Sequence, residues 1–280
     1  MTYHSTPSRT VGAEVVSASI ILSDSVTVMI AIGAHVDSAD PLTAAKALGA
    51  GAAQFFLADP QGWKKPEEHP LAASIKASDI AVYVHAPYII NVASVNNRIR
   101  IPSRKILAQH AVAAANIGAK GLIVHGGHVA SEAELEKGFE NWRKVFERAE
   151  CPLPILIENT AGGNHAIARR LDHLARLWEA VGEFGAGFCL DTCHAYASGE
   201  DLTTIVERIM AITGRIDLVH ANSSRDEFAS GADRHANFES GTIEAEQIAA
   251  VCKAAGSDVI VETPGAGQVA DLAFLKSRLG

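Results

Sequence analysis

The sequence predicts a single (β/α)8 barrel, the TIM-barrel arrangement of the α/β class. Three observations predict it. Eight short apolar runs alternate with stretches of helical periodicity, with no break in composition between them. The length of 280 residues is near the roughly 250 that such a barrel takes. Seven of the eight runs end in a side chain able to ligate a metal, and in a barrel those ends converge on one face.

In chain order, residues 1–28 carry one Arg, two acids and a short apolar patch, Ser19-Ile20-Ile21-Leu22. That is too weak and too poorly flanked for a secretory signal, and Asp24 and Glu14 disfavour a transit peptide. This segment is expected to be an N-terminal extension outside the fold, with Met29 as a natural start and one barrel domain over 29–280. The apolar runs are 29–32, 53–57, 80–84, 121–124, 153–157, 187–190, 216–219 and 258–261. Helical periodicity marks 42–48, 103–117, 132–148, 167–181, 202–212 and 243–255. Neither a repeat beyond this alternation nor a low-complexity linker interrupts them.

No run reaches the roughly 18 apolar residues of a membrane-crossing helix. The four cysteines, Cys151, Cys189, Cys193 and Cys252, form no CxxC pair, so they read as reduced, small and buried in a cytoplasmic protein. The net charge of −8 argues on its face against nucleic acid, unless divalent cations neutralise part of the acidic excess.

What ends each run carries the chemistry. His35 follows the first, His85 the third, His125 the fourth, Glu158 the fifth, Asp191 and His194 the sixth, His220 the seventh and Glu262 the eighth. The sixth is the sharpest case: an apolar strand, Phe188-Cys189-Leu190, runs straight into Asp191. An unpaired carboxylate there would cost several kcal/mol, so a hydrogen-bond network, a protein cation or a metal must compensate it. One histidine at a strand end is more often structural than a ligand; their joint occurrence points to metal. His4, His69, His110, His165 and His173 are expected to be ordinary surface residues, and His128 is left open. Asp233-Arg234-His235, in the polar loop after the seventh run, is a weak signal alone but could complete a further ligand set with His194.

These segments resemble endonuclease IV, the family of zinc-dependent apurinic/apyrimidinic endonucleases. The resemblance rests on Ile32-Gly33-Ala34-His35-Val36, Val84-His85-Ala86-Pro87-Tyr88, Val124-His125-Gly126-Gly127, Ile157-Glu158-Asn159-Thr160-Ala161-Gly162, Leu190-Asp191-Thr192-Cys193-His194-Ala195, Val219-His220-Ala221-Asn222, Asp233-Arg234-His235 and Val261-Glu262-Thr263. It implies three zinc ions, with manganese or iron as substitutes that such ligands accept. His85, His125 and Glu158 would hold the first; Glu158, Asp191, His220 and Glu262 the second; His194, Asp233 and His235 the third. Three dications would bring the net charge to about −2.

The reaction implied is hydrolysis of the phosphodiester 5′ to an abasic site in duplex DNA, leaving a 3′-hydroxyl and a 5′-deoxyribose phosphate, with removal of blocked 3′ ends as a further activity. Glu158 would orient or deprotonate the metal-activated water. Tyr88, Ile89, Asn91, Gln61 and Arg234 match positions expected near DNA, Ile89 as an apolar wedge, and the protein would act as a monomer. Arg98, Arg100, Arg104, Lys105, Lys64 and Lys65 are further candidates for backbone contacts. Two departures bear on DNA grip: Gln61-Gly62 where the family often has Arg and Gln, and the 236–241 loop where a Gly-Glu-Gly run is usual. The competing readings are a metal-dependent sugar isomerase or epimerase on the same barrel, which has no need of a third ligand set, and a non-catalytic binder of abasic DNA, against which the intact ligand set argues.

Overall fold

The computed structural model describes residues 1–2, 30–148 and 151–280. The expected extension therefore lies almost wholly outside the described residues. Eight parallel strands close a barrel: β1 (Ile32–His35), β2 (Ala52–Phe56), β3 (Ala81–His85), β4 (Gly121–His125), β5 (Ile155–Glu158), β6 (Gly187–Asp191), β7 (Leu218–His220) and, last in the chain, β10 (Asp258–Val261), which pairs with both β7 and β1. Between β7 and β10 the two-residue strands β8 (Ser223–Ser224) and β9 (His235–Ala236) pair antiparallel. The helices are α1 (Pro41–Ala47), α2 (Ala72–Lys76), α3 (Asn97–Asn116), α4 (Leu135–Arg148), α5 (Leu171–Val181), α6 (Thr192–Ser198), α7 (Ile205–Thr213), α8 (Ala245–Ala255) and α9 (Gln268–Leu279).

Successive side chains of a strand point to opposite faces, and this alternation builds two cores. Residues such as Val84, Val124, Ile157 and Val219 belong to the large core that includes the buried helix faces. Ala52, Ala81, Tyr83, Ile123, Leu156, Cys189, Leu218 and Ile260 form a separate, smaller core, as expected of inward side chains packed in a layer. Two residues further along, with the same parity, come Gln54, His85, His125, Glu158, Asp191, His220 and Glu262. The ligand-type residues are thus the next inward layer above an apolar one. Five of the strands include the polar residue itself as their last member, one residue beyond the apolar runs, because the ladder continues to it: His125 pairs with Glu158, and Asp191 with His220.

α3 begins at Asn97 rather than Ser103, although Pro102 lies inside it. Asn96 caps it, its side chain accepting from the Arg98 amide at 2.9 Å, and one cap plus the buried face from Ser103 to Ala114 outweighs the single bond that Pro102 removes. α2, α6, α9 and the β8–β9 pair go beyond the expected elements. His110 and His173 correct the surface reading: they are 0% and 4% exposed, turned inward on α3 and α5, with Nδ1 against the carbonyls of Ile106 and Ala166 at 3.0 Å each. Cys189, Cys193 and Cys252 are buried and unpaired, as read; Cys151 is half-buried. Among the described residues no helix is long and apolar enough to cross a membrane.

α4 connects packing to site. Leu135, Gly138, Phe139, Trp142 and Val145 form its buried stripe at helical spacing. Trp142, fully buried, donates Nε1–H to the Gly126 carbonyl at 2.7 Å, which fixes the turn directly after His125. Gly127 in that turn has φ +72°, and a Cβ there would lie 2.5 Å from Asn91 Oδ1. Replacing Trp142 by Phe keeps most of the apolar area but leaves that carbonyl unpaired. Urea unfolding should show a loss of about 1–3 kcal/mol, with a larger fractional loss of metal affinity than the same substitution at Trp178.

Candidate metal centre

Glu158 sits at the middle of the inward polar layer and is fully buried. Its Oε2 lies 3.2 Å from His85 Nε2 and 3.3 Å from His125 Nε2; its Oε1 lies 3.1 Å from His220 Nδ1 and 3.3 Å from His194 Nδ1. One carboxylate therefore faces two separate groups of nitrogens. Three clusters have donor atoms mutually close enough to share an ion: His85, His125 and Glu158; Glu158, Asp191, His220 and Glu262; and Asp191, His194 and His235. Asp233 joins the last from its loop, with Oδ1 3.0 Å from His194 Nε2 and 3.3 Å from His235 Nε2. The geometry thus brings together all nine side chains expected as ligands. It departs from the expected grouping in placing Asp191, as well as Asp233, beside the two histidines.

Neighbours turn the rings. His85 Nδ1–H donates to the Ala86 carbonyl at 2.7 Å and His194 Nδ1–H to the Asn159 carbonyl at 2.9 Å, which leaves each Nε2 as a lone-pair donor. His220 is reversed: Nε2–H meets Gln54 Oε1 at 2.7 Å, so Nδ1 faces Glu158 and Glu262. Gln54 donates its amide to Glu262 Oε1 at 2.6 Å. Asp191 Oδ1 accepts the His194 amide at 2.7 Å as N-cap of α6, and its Oδ2 accepts from Asn222 Nδ2 at 2.7 Å. A hydrogen-bond network therefore does compensate the buried Asp191, and its oxygens also face the clusters.

His194 Nε2 and His235 Nε2 are buried with no hydrogen-bond partner among the described residues. Both lie near Asp233 Oδ1, yet neither is aligned to donate to it. Buried polar atoms are nearly always paired, and two nitrogens aimed past a carboxylate are what a shared cation satisfies. Imidazole and carboxylate donors of this kind suit zinc. The donor set fits a metal.

The electrostatics agree. Burial alone would raise the Glu158 pKa, but the charges of His220 and His125 and the hydrogen bonds of His125 and His194 hold it well below the carboxylate range. Burial likewise opposes protonation of His194, His220 and His235; it is overridden by the surrounding carboxylates at His194 and His235, and by Cys189 together with Glu262 and Glu158 at His220, raising all three, His235 to about 9. His85 goes the other way because its desolvation outweighs Glu158. In this cage protons occupy the places that metal would take.

The sites named for DNA fall in different places. Tyr88 is exposed and lines a cleft of about 590 Å³ with Arg225 and Arg234 beside the clusters. Arg234 is also paired with Asp226, Nε to Oδ2 at 2.8 Å. Ile89 and Asn91 line a neighbouring cavity of about 320 Å³. Asn91 is buried and its amide is engaged, Nδ2 with the His128 carbonyl at 2.9 Å and Oδ1 with the His128 amide at 3.2 Å, so the undecided His128 belongs to this loop clamp. Gln61 is exposed in the loop after β2. His35 joins none of the clusters; its Nδ1 lies 3.0 Å from Gln54 Nε2. Sequence reasoning missed Gln54, Asn159 and Asn222 as orienting residues. Gln54 had a readable signal, a polar residue of inward parity in an otherwise apolar strand.

A group whose pKa is raised by folding stabilises the fold fully below its unfolded value and loses that contribution as pH climbs through the folded one. For His235 that window runs from the ordinary 6.5 to about 9, with His194 and His220 adding in the same direction. Metal-stripped protein should therefore lose about 2 kcal/mol and roughly 5 °C of Tm between pH 6.5 and 9. Zinc-loaded protein should not. Calorimetry of both forms across that range measures it.

The comparisons agree with the geometry. Residues 42–278 match the family model described as xylose isomerase-like TIM barrel. The probable endonuclease 4 of Mycobacterium tuberculosis is 57% identical over 249 residues, which cover 89% of this chain and 99% of that one. The crystal structure of endonuclease IV from Thermus thermophilus superposes with a TM-score of 0.77 at 28% identity, over 89% of this chain and 98% of that one. A D-tagatose 3-epimerase-like protein superposes with a TM-score of 0.73 at 20% identity, over 89% and 97%, a likeness of fold alone. With that extent of identity spread over nearly the whole of the relative, and with the strand-end layer that the fold assembles, the chain belongs to the endonuclease IV family of xylose isomerase-like TIM barrels.

Proposed function

We propose that the protein hydrolyses the phosphodiester 5′ to abasic sites in duplex DNA, leaving a 3′-hydroxyl and a 5′-deoxyribose phosphate, and that it also clears blocked 3′ ends. The observation that carries this is the buried Glu158 carboxylate, each of whose oxygens faces a different pair of imidazoles. The 57% identity to a probable endonuclease 4 supports the hydrolase reading. The epimerase reading has only the fold in its favour and leaves His194, Asp233 and His235 without a task.

We assign His85, His125 and Glu158 to a first zinc ion, Glu158, Asp191, His220 and Glu262 to a second, and His194, Asp233 and His235 to a third. Divalent ions there would acidify water and offset the negative charge that builds on the phosphoryl oxygens during in-line displacement. The residues of the chain do the remaining work. Glu158, kept ionised by the imidazoles around it, orients the attacking water or accepts its proton at a carboxylate oxygen. Gln54, Asn159 and Asn222 hold the ligands in place before substrate arrives. Arg225 and Arg234 bring guanidinium charge to the cleft that takes the phosphate. Tyr88, Ile89, Asn91 and Gln61 belong to the loops around which the kinked duplex bends, and a missing base lowers the cost of turning the nucleotide out of the stack. We place this activity in residues 29–280, in a cytoplasmic monomer whose four thiols are free.

The test is incision of a duplex carrying one abasic site by metal-stripped and zinc-reconstituted protein. Zinc-dependent cleavage on the 5′ side, with an end that a polymerase extends, is expected. Glu158→Gln should lower turnover about 100- to 1,000-fold, in the range typical of losing a key electrostatic group, while abasic DNA is still bound. Unchanged turnover would remove Glu158 from the mechanism. A chain starting at Met29 should cut at the full-length rate.

A further inference from the structure

The structure sorts the six basic residues around the loop after β2 and the start of α3; Lys64 is exposed and does not line the groove that its neighbours form. Arg100 is engaged by its own segment, Nη1 donating to the carbonyls of Ser94 at 3.0 Å and Val95 at 3.1 Å. Arg104 donates to the Asn141 carbonyl at 2.9 Å and fastens α3 to α4. Lys65, Arg98 and Lys105 behave differently. All three are exposed, none makes an ion pair or side-chain hydrogen bond to another described residue, and together they line one open groove of about 650 Å³.

The groove follows from helix geometry. Arg98, Ile101, Pro102, Lys105 and Gln109 fall at i, i+3, i+4, i+7 and i+11, one continuous stripe along the helix, and the loop after β2 forms the facing wall with Trp63 and Lys65. Trp63 is 46% exposed and Ile101 58%. No carboxylate lines the groove, in a chain where acids outnumber Lys and Arg by 32 to 24. Three unpaired cations beside exposed apolar faces match the anionic backbone and the sugar faces of a nucleic-acid strand. The wall is also tied to the metal cleft: the Tyr88 amide donates to the Pro60 carbonyl at 2.9 Å, in the same loop as Trp63 and Lys65.

We propose that this groove between the loop after β2 and the outer face of α3 is a second DNA contact, which takes the backbone of one arm of the substrate duplex beyond the lesion. It rests on the reading of DNA as substrate and extends the interface past the residues that surround the reaction. Lys65, Arg98 and Lys105 hold phosphates, and Trp63 and Ile101 lie against the sugars.

Trp63 supplies a direct readout. The chain has three tryptophans, and Trp142 and Trp178 are buried at 0% and 8% exposure, so acrylamide quenching of the zinc-loaded protein reports Trp63. Abasic duplexes are lengthened stepwise on either side of the lesion. The expected result is a length on one side at which affinity steps up and Trp63 becomes shielded. In the Lys65→Ala, Arg98→Ala, Lys105→Ala triple variant that step disappears, with about tenfold weaker binding of the long duplex at about 0.15 M salt and a salt slope lower by about two to three. Incision of the shortest duplex that is cut stays at the wild-type rate. Equal affinity and slope for variant and wild type on every duplex would overturn the proposal, as would shielding of Trp63 that follows protein concentration without DNA, the sign of a second copy in the groove. Shielding and the affinity step without any incision would retain the groove and overturn the endonuclease reading.

Discussion

A single buried carboxylate is the constraint on which the rest of the structure depends. Glu158 is fully enclosed and has four imidazole nitrogens within 3.3 Å of its two oxygens. A charge in that position, left alone, would cost several kcal/mol. The imidazoles come from β3, β4, β7 and the first turn of α6, so compensating one residue of β5 sets the mutual position of four other elements. The apolar layer beneath, with Leu156 directly below Glu158 in the same strand, keeps water from relieving the charge. The barrel supplies the rigidity and the carboxylate supplies the demand.

Much of this was legible because strand parity is strict. Once Leu156, Cys189 and Leu218 are inward, Glu158, Asp191 and His220 must be inward too, and an apolar run that ends on a ligand-type residue announces the layer. What was not legible depends on contacts between residues far apart in sequence. The inward parity of Gln54 marks it as a buried polar residue but does not announce that its partners would be both His220 and Glu262, 166 and 208 residues away. His110 and His173 looked like surface residues because a histidine on an amphipathic helix is compatible with either face. The periodicity of the apolar residues is readable only from 103, whereas the helix starts at Asn97, its first turn held by the Asn96 cap and carried through Pro102. The basic cluster could be counted in the sequence but not divided, since only the fold shows that Arg100 and Arg104 are engaged and their neighbours are not.

The loop that carries Asp233 and His235 shows how a polar segment can be placed as accurately as a strand. β8 and β9 pair through Ser223 and Ala236, and the Ala229 and Gly231 amides bond to the Tyr196 and Ala197 carbonyls of α6. Beyond it, Asp271 of α9 receives Asn237 Nδ2 at 2.7 Å, the Phe238 amide at 3.0 Å and Thr263 Oγ1 at 2.6 Å. The 236–241 segment is thereby anchored to the last helix rather than left to float over the cleft.

The order of the strands also has a consequence for biosynthesis. His85, His125 and Glu158 lie on three consecutive, mutually paired strands, so their cluster can assemble once β5 has left the ribosome and folded. The cluster containing Glu262 is different: its last member directly follows β10, and β10 is the strand that seals the barrel against β1. On the ligand assignment proposed above, vectorial folding from the N-terminus would let an ion be captured by the first cluster while the sheet is still open, whereas Glu158 would gain a second ion only at closure. In a nascent chain, the step from one bound equivalent to more would then serve as a clock for the moment the cylinder shuts.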